Sequence, residues 1–351
     1  MNLKALLKLM VEKKASDLFL TSKAPVKIKI EGRILPVNKQ DLTAEAVRQA
    51  AISIMTSDQV DQFAKELELD FAVSEPELGR FRVNAFHQRG EVALALRYIT
   101  AEIPRLDTLG LPSVLKDLAL RKRGLLLMVG ATGSGKSTSL AAMLDHRNET
   151  AADHILTIED PIEYVHSNKN SIVNQREVGG DTHSYAKALR SAMREAPDVI
   201  QVGEIRDRET MEAVLALAGT GHLAISTLHA NNAAETLDRI VNMFPAPQHP
   251  QVLLDLSQYL LAIVSQRLIK ARSGRRLAAV EVLINTPHVS ELICKGDVAG
   301  VKEALAESRE PGMQSFDGAL FEIYRQGRID QQEALANAES RTNLEARINF
   351  G

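Results

Sequence analysis

The nine residues Gly130–Thr138, GATGSGKST, constrain this chain more than any other stretch. Glycines, hydroxyl side chains and a lysine cannot pack a core, yet they directly follow the apolar run Leu125–Val129, which is typical of a buried strand. The stretch matches the pattern G-x-x-x-x-G-K-[ST]. In such a loop the backbone N–H groups turn inward and form an anion site, and the next helix adds its positive N-terminal end. The sequence therefore predicts a strand, a loop and a helix that bind a nucleoside triphosphate.

This pattern predicts the role of each loop residue in nucleotide binding. Lys136 reaches the terminal phosphates, and the hydroxyl group of Ser137 reaches a magnesium ion. We expect ATP and Mg²⁺ as cofactors. The predicted nucleotide-binding residues are Gly130, Thr132, Gly133, Ser134, Gly135, Lys136, Ser137 and Thr138.

Composition narrows the class of protein. A length of 351 residues predicts about two domains, and the net charge of -3 gives no overall attraction to nucleic acid or acidic lipid. The single cysteine, Cys294, excludes an internal disulfide and suits a reducing compartment. The N-terminal stretch has scattered lysines and no cleavage site, and no uncharged apolar run reaches the ~18 residues of a membrane span. We expect a cytoplasmic protein without membrane insertion.

The first part of the chain, residues 1–102, mixes strands with helices. Strands are predicted at 16–20, 26–30, 34–35, 81–86 and 92–99, and helices near the N-terminus, at 43–55 and at 58–67. Hairpin turns are predicted at Glu31-Gly32-Arg33 and around Arg89-Gly90. This pattern favours an α+β domain. A linker with two prolines and a glycine follows at 103–123.

The second part, residues 124–351, alternates strands with helical patterns. Predicted strands at 125–129, 154–158, 199–203 and 222–228 indicate a mostly parallel sheet covered by helices, which is an α/β arrangement. From Pro250 onward the chain is predicted to be helical. The helices are expected at 252–269, which is strongly apolar, and at 312–326 and 330–348.

Acidic residues follow two of the predicted strands. Glu159, Asp160 and Glu163 come at the end of strand 154–158, where three carboxylates repel one another unless a cation or a polarised water lies nearby. Strand 199–203 ends at Glu204, the pattern of a carboxylate that contacts magnesium directly or through water. A solvated turn is the alternative for each. Arg206 is as well placed to pair with Asp207 or Glu209 as to face a nucleotide.

Two histidines, His222 and His229, bracket the strand at 222–228. Their odd spacing of seven places them on opposite faces of a strand, which argues against a shared metal ion. Three roles remain possible for these histidines: sensing of the γ-phosphate, a contact between subunits, and a buried hydrogen bond.

The motifs together resemble the type IV pilus retraction ATPases (PilT/PilU-like) of the type II/IV secretion ATPase superfamily. The resemblance covers nearly the whole chain, through SDLFLT, GRFRVNAF, GATGSGKST, TIEDPIEY, NQREVG, APDVIQVGEIRD, GHLAISTLHANN, RRLAAVEVLINTP and GMQSFD. It implies an N-terminal PAS-like domain, a RecA-like P-loop ATPase domain with C-terminal helices, and a homo-hexamer. It also implies hydrolysis of ATP to ADP and phosphate, coupled to pilus retraction and twitching motility.

The resemblance also implies roles for single residues. Lys136 contacts phosphate, Ser137 coordinates magnesium and Glu204 assists the metal. Glu163 positions and deprotonates the attacking water, and His222 and His229 are residues of the histidine box. Arg82 and Arg97 match arginines of the N-terminal domain that reach a neighbouring subunit's nucleotide. The site residues expected outside the phosphate loop are thus Arg82, Arg97, Glu163, Glu204, His222 and His229.

The PilU-like branch fits better than the PilT-like branch. PilT-like chains carry AIRNLIRE after a Thr-Pro step, whereas Thr286-Pro287 is followed here by HVSELICKGD, and the tail ending LEARINFG is also PilU-like. This departure implies support of a PilT-like ATPase rather than independent retraction. The resemblance further implies an inner-membrane pilus platform protein as a partner, at the cytoplasmic face of the inner membrane.

Three other functions are compatible with a phosphate loop. A pilus-assembly or type II secretion ATPase usually adds an N-terminal domain and a tetracysteine zinc site, which this chain lacks. A nucleic-acid-dependent motor needs a basic or aromatic channel, but the chain has no tryptophan and 4% aromatic residues, so no nucleic acid is expected. A regulatory module without turnover conflicts with the acids Glu163 and Glu204.

Overall fold

The computed structural model describes residues 2–99 and 102–350. The chain separates into two compact units. The first covers the residues up to Glu102 together with Glu163–Val165, and the second covers Ile103–Ile162 and the chain from His166 onward. The outer ends of the predicted domains, at residues 1 and 351, lie outside the described residues.

The first unit is built on one antiparallel six-stranded sheet with the order β3-β2-β1-β6-β5-β4. Its elements are α1 (Leu3–Glu12), β1 (Asp17–Leu20), β2 (Pro25–Ile30), β3 (Arg33–Asp41), α2 (Ala44–Ile52), α3 (Ser57–Glu66), β4 (Glu68–Glu75), β5 (Gly79–Gln88) and β6 (Glu91–Ile99).

Alternating side chains and tight turns explain this sheet. On β5, Phe81 and Val83 are buried whereas Arg80 and Arg82 lie on the other face, because successive strand side chains point to opposite faces. At the hairpin turns, Gly32 and Gly90 have φ of 82° and 79°, the left-handed conformation that glycine adopts without strain. The predicted α+β character is confirmed, although the sequence pattern did not predict β4.

The second unit is an α/β layer structure. Its elements are α4 (Val114–Ala119), β7 (Gly124–Val129), α5 (Lys136–Thr150), β8 (His154–Glu159), β9 (Ile172–Glu177), α6 (Tyr185–Ala192), β10 (Val199–Val202), α7 (Arg208–Gly219), β11 (Leu223–Leu228), α8 (Ala233–Asn242), α9 (His249–Tyr259), β12 (Leu260–Lys270), β13 (Arg276–Ile284), α10 (Pro287–Lys295), α11 (Val298–Ala306), α12 (Phe316–Arg325), α13 (Gln331–Asn337) and α14 (Arg341–Phe350).

Its seven-stranded sheet has the order β13-β12-β7-β11-β10-β8-β9 and is parallel except for β13. Every residue of β7, β10 and β11 is buried, as expected for parallel strands covered on both faces. The four strands predicted between 125 and 228 are therefore confirmed. Leu106, Leu115 and Leu118, from the predicted linker, are buried in the core of this unit.

The prediction of an all-helical chain after Pro250 is wrong. The apolar stretch 252–269 divides into the helix α9 and the buried strand β12, and β13 follows as its antiparallel partner. The apolar run Leu260–Val264 fits a buried strand as well as a buried helix, so periodicity alone does not separate the two. The predicted helix 312–326 is confirmed as α12, but 330–348 divides into α13 and α14.

No helix among residues 2–99 and 102–350 is both long enough and apolar enough to cross a lipid bilayer.

Candidate functional site

The strand order brings four loops of the second unit to one edge of the sheet. Parallel strands end at the same edge, and Leu228 of β11 lies beside Val129 of β7, while Val202 of β10 lies beside Ile158 of β8. The phosphate loop, the acidic loop after β8, the turn at Glu204 and the loop after β11 therefore all begin there. β12 continues past this edge, because its Ser265 pairs with Val129.

The phosphate loop is shaped by its glycines. Gly130, Gly133 and Gly135 have φ of 148°, 77° and 88°, which other residues adopt only under strain. A Cβ atom on Gly130 would lie 2.4 Å from the carbonyl oxygen of Gln266, and one on Gly135 would lie 2.8 Å from Nε2 of Gln266. Glycine is therefore required at both positions for the loop to curve against β12.

Lys136 lies inside this curve, at the first turn of α5. Its buried ammonium group donates hydrogen bonds to the carbonyl oxygens of Gly130 (2.7 Å) and Ala131 (3.0 Å). The loop tip from Ala131 to Gly133 is exposed, and so is Ser137. A buried cation beneath an exposed loop of N–H groups, at the start of a fifteen-residue helix, is the charge distribution that phosphates need.

A pocket of about 250 Å³ adjoins the loop. Ligand pockets are typically ~300–1,000 Å³, so this volume fits part of a nucleotide rather than all of it. Outside the loop its lining residues are Asn231, Gln266, Arg267, Leu268 and Arg276. No sequence motif connects the residues on β12 and β13 with the phosphate loop, and only the strand order reveals them as its neighbours.

Gln266 holds the phosphate loop in place. Its buried amide donates to the carbonyl oxygen of Ser134 (2.8 Å) and accepts a hydrogen bond from the hydroxyl group of Ser139 (2.8 Å) on α5. The hydroxyl group of Ser134 is buried, and no hydrogen-bond partner for it lies among the described residues. A buried hydroxyl without a partner is costly, which fits a ligand that supplies one.

Glu204 lies between two basic side chains. Its carboxylate contacts Nε of Arg206 (2.7 Å) and Nε2 of His229 (2.8 Å). The structure thus unites Glu204 and His229, as the candidate site requires. Arg206 pairs with neither Asp207 nor Glu209, because Asp207 caps α7 through the Thr210 N–H and Glu209 pairs with Arg190. The hydrogen bond to Glu204 raises the pKa of Arg206.

His222 lies at the opposite end of β11 from His229. Its Nδ1 atom contacts the hydroxyl group of Thr220 (3.1 Å) and the carbonyl oxygen of Leu217 (3.3 Å), both at the end of α7. The six residues of β11 separate the two histidines by roughly 20 Å. The structure therefore does not bring His222 to the phosphate loop of its own chain.

The acidic loop after β8 is fixed by β9, a strand that the sequence pattern did not predict. The side chain of Gln175 donates to Glu159 (3.1 Å) and accepts from the His166 N–H (2.7 Å). The buried carboxylate of Glu177 accepts from the Ile162 N–H (3.0 Å). Glu163 is exposed on this loop and groups with the first unit, so its role as the base stays a prediction.

Tyr185 is a further member of this region that carries no sequence signal. A Cβ atom on Gly203 would lie 2.8 Å from its hydroxyl oxygen, so the residue before Glu204 is glycine because the tyrosine occupies that space. Burial, assisted by the negative charge of Asp160, raises the pKa of Tyr185. Its hydroxyl group therefore stays protonated and remains a hydrogen-bond donor beside the acidic residues.

Arg82 and Arg97 lie side by side in the first unit, as direct partners on β5 and β6. Arg97 donates to the buried carboxylate of Asp17 (2.9 Å), so part of its guanidinium group is occupied within the unit. For Arg82, no ion pair occurs within residues 2–99 and 102–350. Both arginines lie on the polar face of the sheet, and their action on a neighbouring nucleotide stays a prediction.

The residues present fit a magnesium ion carried by the nucleotide. Ser137 offers an exposed hydroxyl group at the start of α5, and Glu204 offers a half-buried carboxylate two strands away at the same edge. No cluster of three or more acidic, histidine or cysteine side chains suited to a metal occurs in the described part of the chain. Mg²⁺ bound mainly through substrate phosphates and water does not require one.

Comparison with known proteins places this site in a family. The model of the Type II/IV secretion system protein family matches residues 1–327. The chain is 50% identical to the type IV pilus ATPase PilU of Pseudomonas aeruginosa over 352 residues, covering 100% of this chain and 92% of that relative. It is 42% identical to the type IV pilus retraction ATPase PilT of the same organism, covering 98% and 100%.

A solved structure agrees with these relatives. The crystal structure of the pilus retraction motor PilT with bound ADP superposes with a TM-score of 0.92 at 42% identity, covering 98% of this chain and 99% of that one. The predicted fold class, an N-terminal PAS-like α+β domain followed by a RecA-like ATPase domain with C-terminal helices, is confirmed. The chain belongs to the type II/IV secretion ATPase family, among the type IV pilus ATPases that include PilU and PilT.

Proposed function

We propose that this protein is an ATP-hydrolysing motor that drives or supports type IV pilus retraction and twitching motility. The observation that carries the proposal is the match over the whole chain to PilU and PilT, combined with a phosphate loop whose lysine and glycines have the required geometry. The alternative of a pilus-assembly or type II secretion ATPase is not favoured, because a relative named as a retraction ATPase matches 98% of the chain.

ATP binding uses the groups around the phosphate loop. The N–H groups of the loop and the start of α5 receive the phosphates. Lys136 exchanges its two carbonyl partners, on Gly130 and Ala131, for phosphate oxygens. That exchange couples occupancy of the site to the position of the lysine. Gln266 keeps the loop curved while this happens, because it holds both the loop and α5.

Ser137 and Glu204 would hold the magnesium ion. When bound, the ion neutralises charge that develops on the phosphates. Arg206 and His229 each hold one oxygen of Glu204, so they set the direction in which its carboxylate faces. His229 lies at the end of β11, at the level of the phosphate loop. It is therefore placed to sense whether a terminal phosphate is present.

Hydrolysis requires a base and a cation that stabilises the transition state. In the proposal Glu163 positions and deprotonates the attacking water, a role worth ~10²–10⁴-fold in rate. Arg82 and Arg97 supply positive charge to the nucleotide of a neighbouring subunit, as an arginine finger does. Such a site is complete only in an oligomer, and we propose a homo-hexamer.

The choice between a PilT-like and a PilU-like role rests on the PilU-like sequence after Thr286-Pro287. There the residues HVSELICK form most of α10. We propose that the protein supports a PilT-like ATPase and acts with an inner-membrane pilus platform protein, at the cytoplasmic face of the inner membrane. The division into an N-terminal domain (1–102), a linker (103–123) and an ATPase domain (124–351) is part of the same proposal.

The experiment has a cellular arm and a biochemical arm. A deletion strain is scored for twitching and surface pili, with and without a PilT-like protein, and is complemented with the wild type or with Lys136→Ala. We expect the wild-type gene, but not Lys136→Ala, to restore twitching, and only in strains that contain the PilT-like protein. Wild-type protein should release phosphate from ATP, and Lys136→Ala should not. Normal twitching in the deletion strain, or no phosphate release by the wild type, would contradict the proposal.

A further inference from the structure

The C-terminal segment formed by α13 and α14 (residues 331–350) reaches the wall of the nucleotide pocket. It lies beyond residues 1–327, which the family model matches. The segment turns at Glu339, between the two helices. The carboxylate of Glu339 accepts a hydrogen bond from Nδ2 of Asn232 (2.7 Å) and lies 3.5 Å from the guanidinium group of Arg267. Arg267 lines the pocket, and Asn232 follows Asn231, which lines it as well.

Arg267 is held in place by the same segment together with α12 and the loop after β11. Its guanidinium group lies 4.1 Å above the ring of Phe316 and donates to the carbonyl oxygens of Asn337 (3.0 Å) and Asn231 (3.3 Å). Stacking of its flat face on an aromatic ring and hydrogen bonds from its own N–H groups together fix the orientation of a guanidinium group. One side of the pocket wall therefore depends on residues from the C-terminal helices.

The backbone around Glu339 is held in place by the side chain of Asp317. The carboxylate of Asp317 on α12 accepts the N–H groups of Glu339 (2.8 Å) and Ser340 (2.9 Å). The side chain of Glu339 is 17% exposed, so its charge is only partly screened by water. The carboxylate is thus a fixed group beside the pocket and not part of a freely moving tail.

Asn232 connects this carboxylate to the loop that carries His229. The Oδ1 atom of Asn232 caps α8 by accepting the Glu235 N–H (2.9 Å), while its Nδ2 group donates to Glu339. The loop from His229 to Asn232 is therefore tied to Glu204 at one end and to Glu339 at the other. A shift of the C-terminal segment would be transmitted to both Asn231 and His229.

We infer that Glu339 is a positioning residue for the ATP site, acting through Asn232 and Arg267 on the pocket wall. The inference rests on the proposed function, since the pocket must receive part of ATP. Glu339 does not itself contact the phosphate loop. Its carboxylate sets where Asn231 and Arg267 lie, and hence how tightly the nucleotide is held.

A pair of complementary substitutions tests this contact without removing any packed side chain. Asn232→Asp keeps the oxygen that caps α8 but replaces the donor to Glu339 by a second carboxylate oxygen, so two negative charges face each other. We expect the KM for ATP to rise about tenfold, the size expected for loss of a hydrogen bond to a charged group, with kcat changed less than about twofold. Adding Glu339→Gln restores a donor and should return KM to within about twofold of wild type.

The matched control is Glu345→Gln, which removes an exposed carboxylate from the same segment and should leave KM unchanged. Thermal unfolding of every variant is measured alongside the kinetics. A wild-type KM in Asn232→Asp, or failure of Glu339→Gln to restore it, would overturn the inference. If the wild type itself neither binds nor hydrolyses ATP, the proposed function is wrong as well. A failure of the inference alone would appear only in the variants, so the two failures are distinguishable.

Discussion

Glu281 is a buried carboxyl group whose titration makes a measurable prediction about stability. It lies on β13 with 2% of its surface exposed, and its Oε1 atom accepts from the Ala233 N–H (2.8 Å) and the Ser265 hydroxyl group (3.1 Å). Burial, with a smaller contribution from the charge of Glu339, raises the pKa of Glu281 from 4.5 to about 7. The two hydrogen bonds and the positive charge of Arg267 oppose that rise.

The pKa rise fixes the sign and the size of the effect. A carboxyl group that binds its proton more tightly in the folded state stabilises that state when it is protonated. This stabilisation is complete below about pH 4.5 and is lost as pH rises through about 7. The pKa difference is ~2.5, and each unit is worth ~1.4 kcal/mol, so the total is about 3.5 kcal/mol at most.

The substitution Glu281→Gln isolates this contribution. Glutamine keeps the acceptor oxygen for Ala233 and Ser265 but carries no ionisable proton. The free energy of unfolding of wild type and variant is measured from pH 5 to pH 8.5, and the difference between them cancels the titration of groups that do not interact with Glu281. We expect the wild type to lose stability relative to the variant as pH rises, by about 2.5 kcal/mol between pH 5 and pH 8.5.

Glu303→Gln serves as the control, because Glu303 is exposed on α11 and its removal should leave the pH profile unchanged. The reasoning is refuted if the difference between wild type and Glu281→Gln is constant from pH 5 to pH 8.5. It is also refuted if the wild type gains stability relative to the variant as pH rises, since that would require a lowered pKa.

Three further predictions concern the ATP site. Lys136→Ala should lose ATP binding and turnover, whereas Glu163→Gln should bind ATP normally and lose ~10²–10⁴-fold in hydrolysis; equal loss of affinity in both would contradict this. Arg82→Ala should assemble and bind ATP but hydrolyse it poorly. Mixing it with Lys136→Ala under subunit exchange should recover some activity, and a mixture that never recovers turnover would exclude action in trans. Gln266→Leu removes two hydrogen bonds that hold the phosphate loop and should raise KM for ATP about tenfold, unlike the exposed control Gln258→Leu.

Local patterns explain which parts of the fold were predictable. The phosphate loop was predicted from its motif, whereas the strands β7, β8, β10 and β11 were predicted because each is a short, mostly apolar run bounded by glycine, proline or acidic residues. β12 was predicted as part of a helix because its apolar run Leu260–Val264 continues the apolar positions of α9, and its pairing with β7 and β13 makes it a strand. β9 was not predicted because its polar residues bind the acidic loop instead of filling a core.

The same distinction holds for the candidate site. Lys136 and Glu204 stand in motifs with fixed spacing, so their positions were predictable. Neither partner of Glu204, Arg206 or His229, was predicted, because the choice of an ion pair depends on side-chain geometry. Tyr185 and Gln266 are distant in sequence from the residues that they contact. No spacing rule places them: the order of the strands brings Gln266 on β12 to the site, and the position of α6 brings Tyr185 there.

The course of β12 explains how residues distant from the phosphates can affect nucleotide binding. Gln266 and Arg267 are consecutive, and successive strand side chains point to opposite faces. Gln266 therefore contacts the phosphate loop and α5, while Arg267 contacts the C-terminal segment and Asn231. Both residues are paired with β13, at Val280 and Ala279. We expect a displacement of the C-terminal helices to reach the phosphate loop through this one strand.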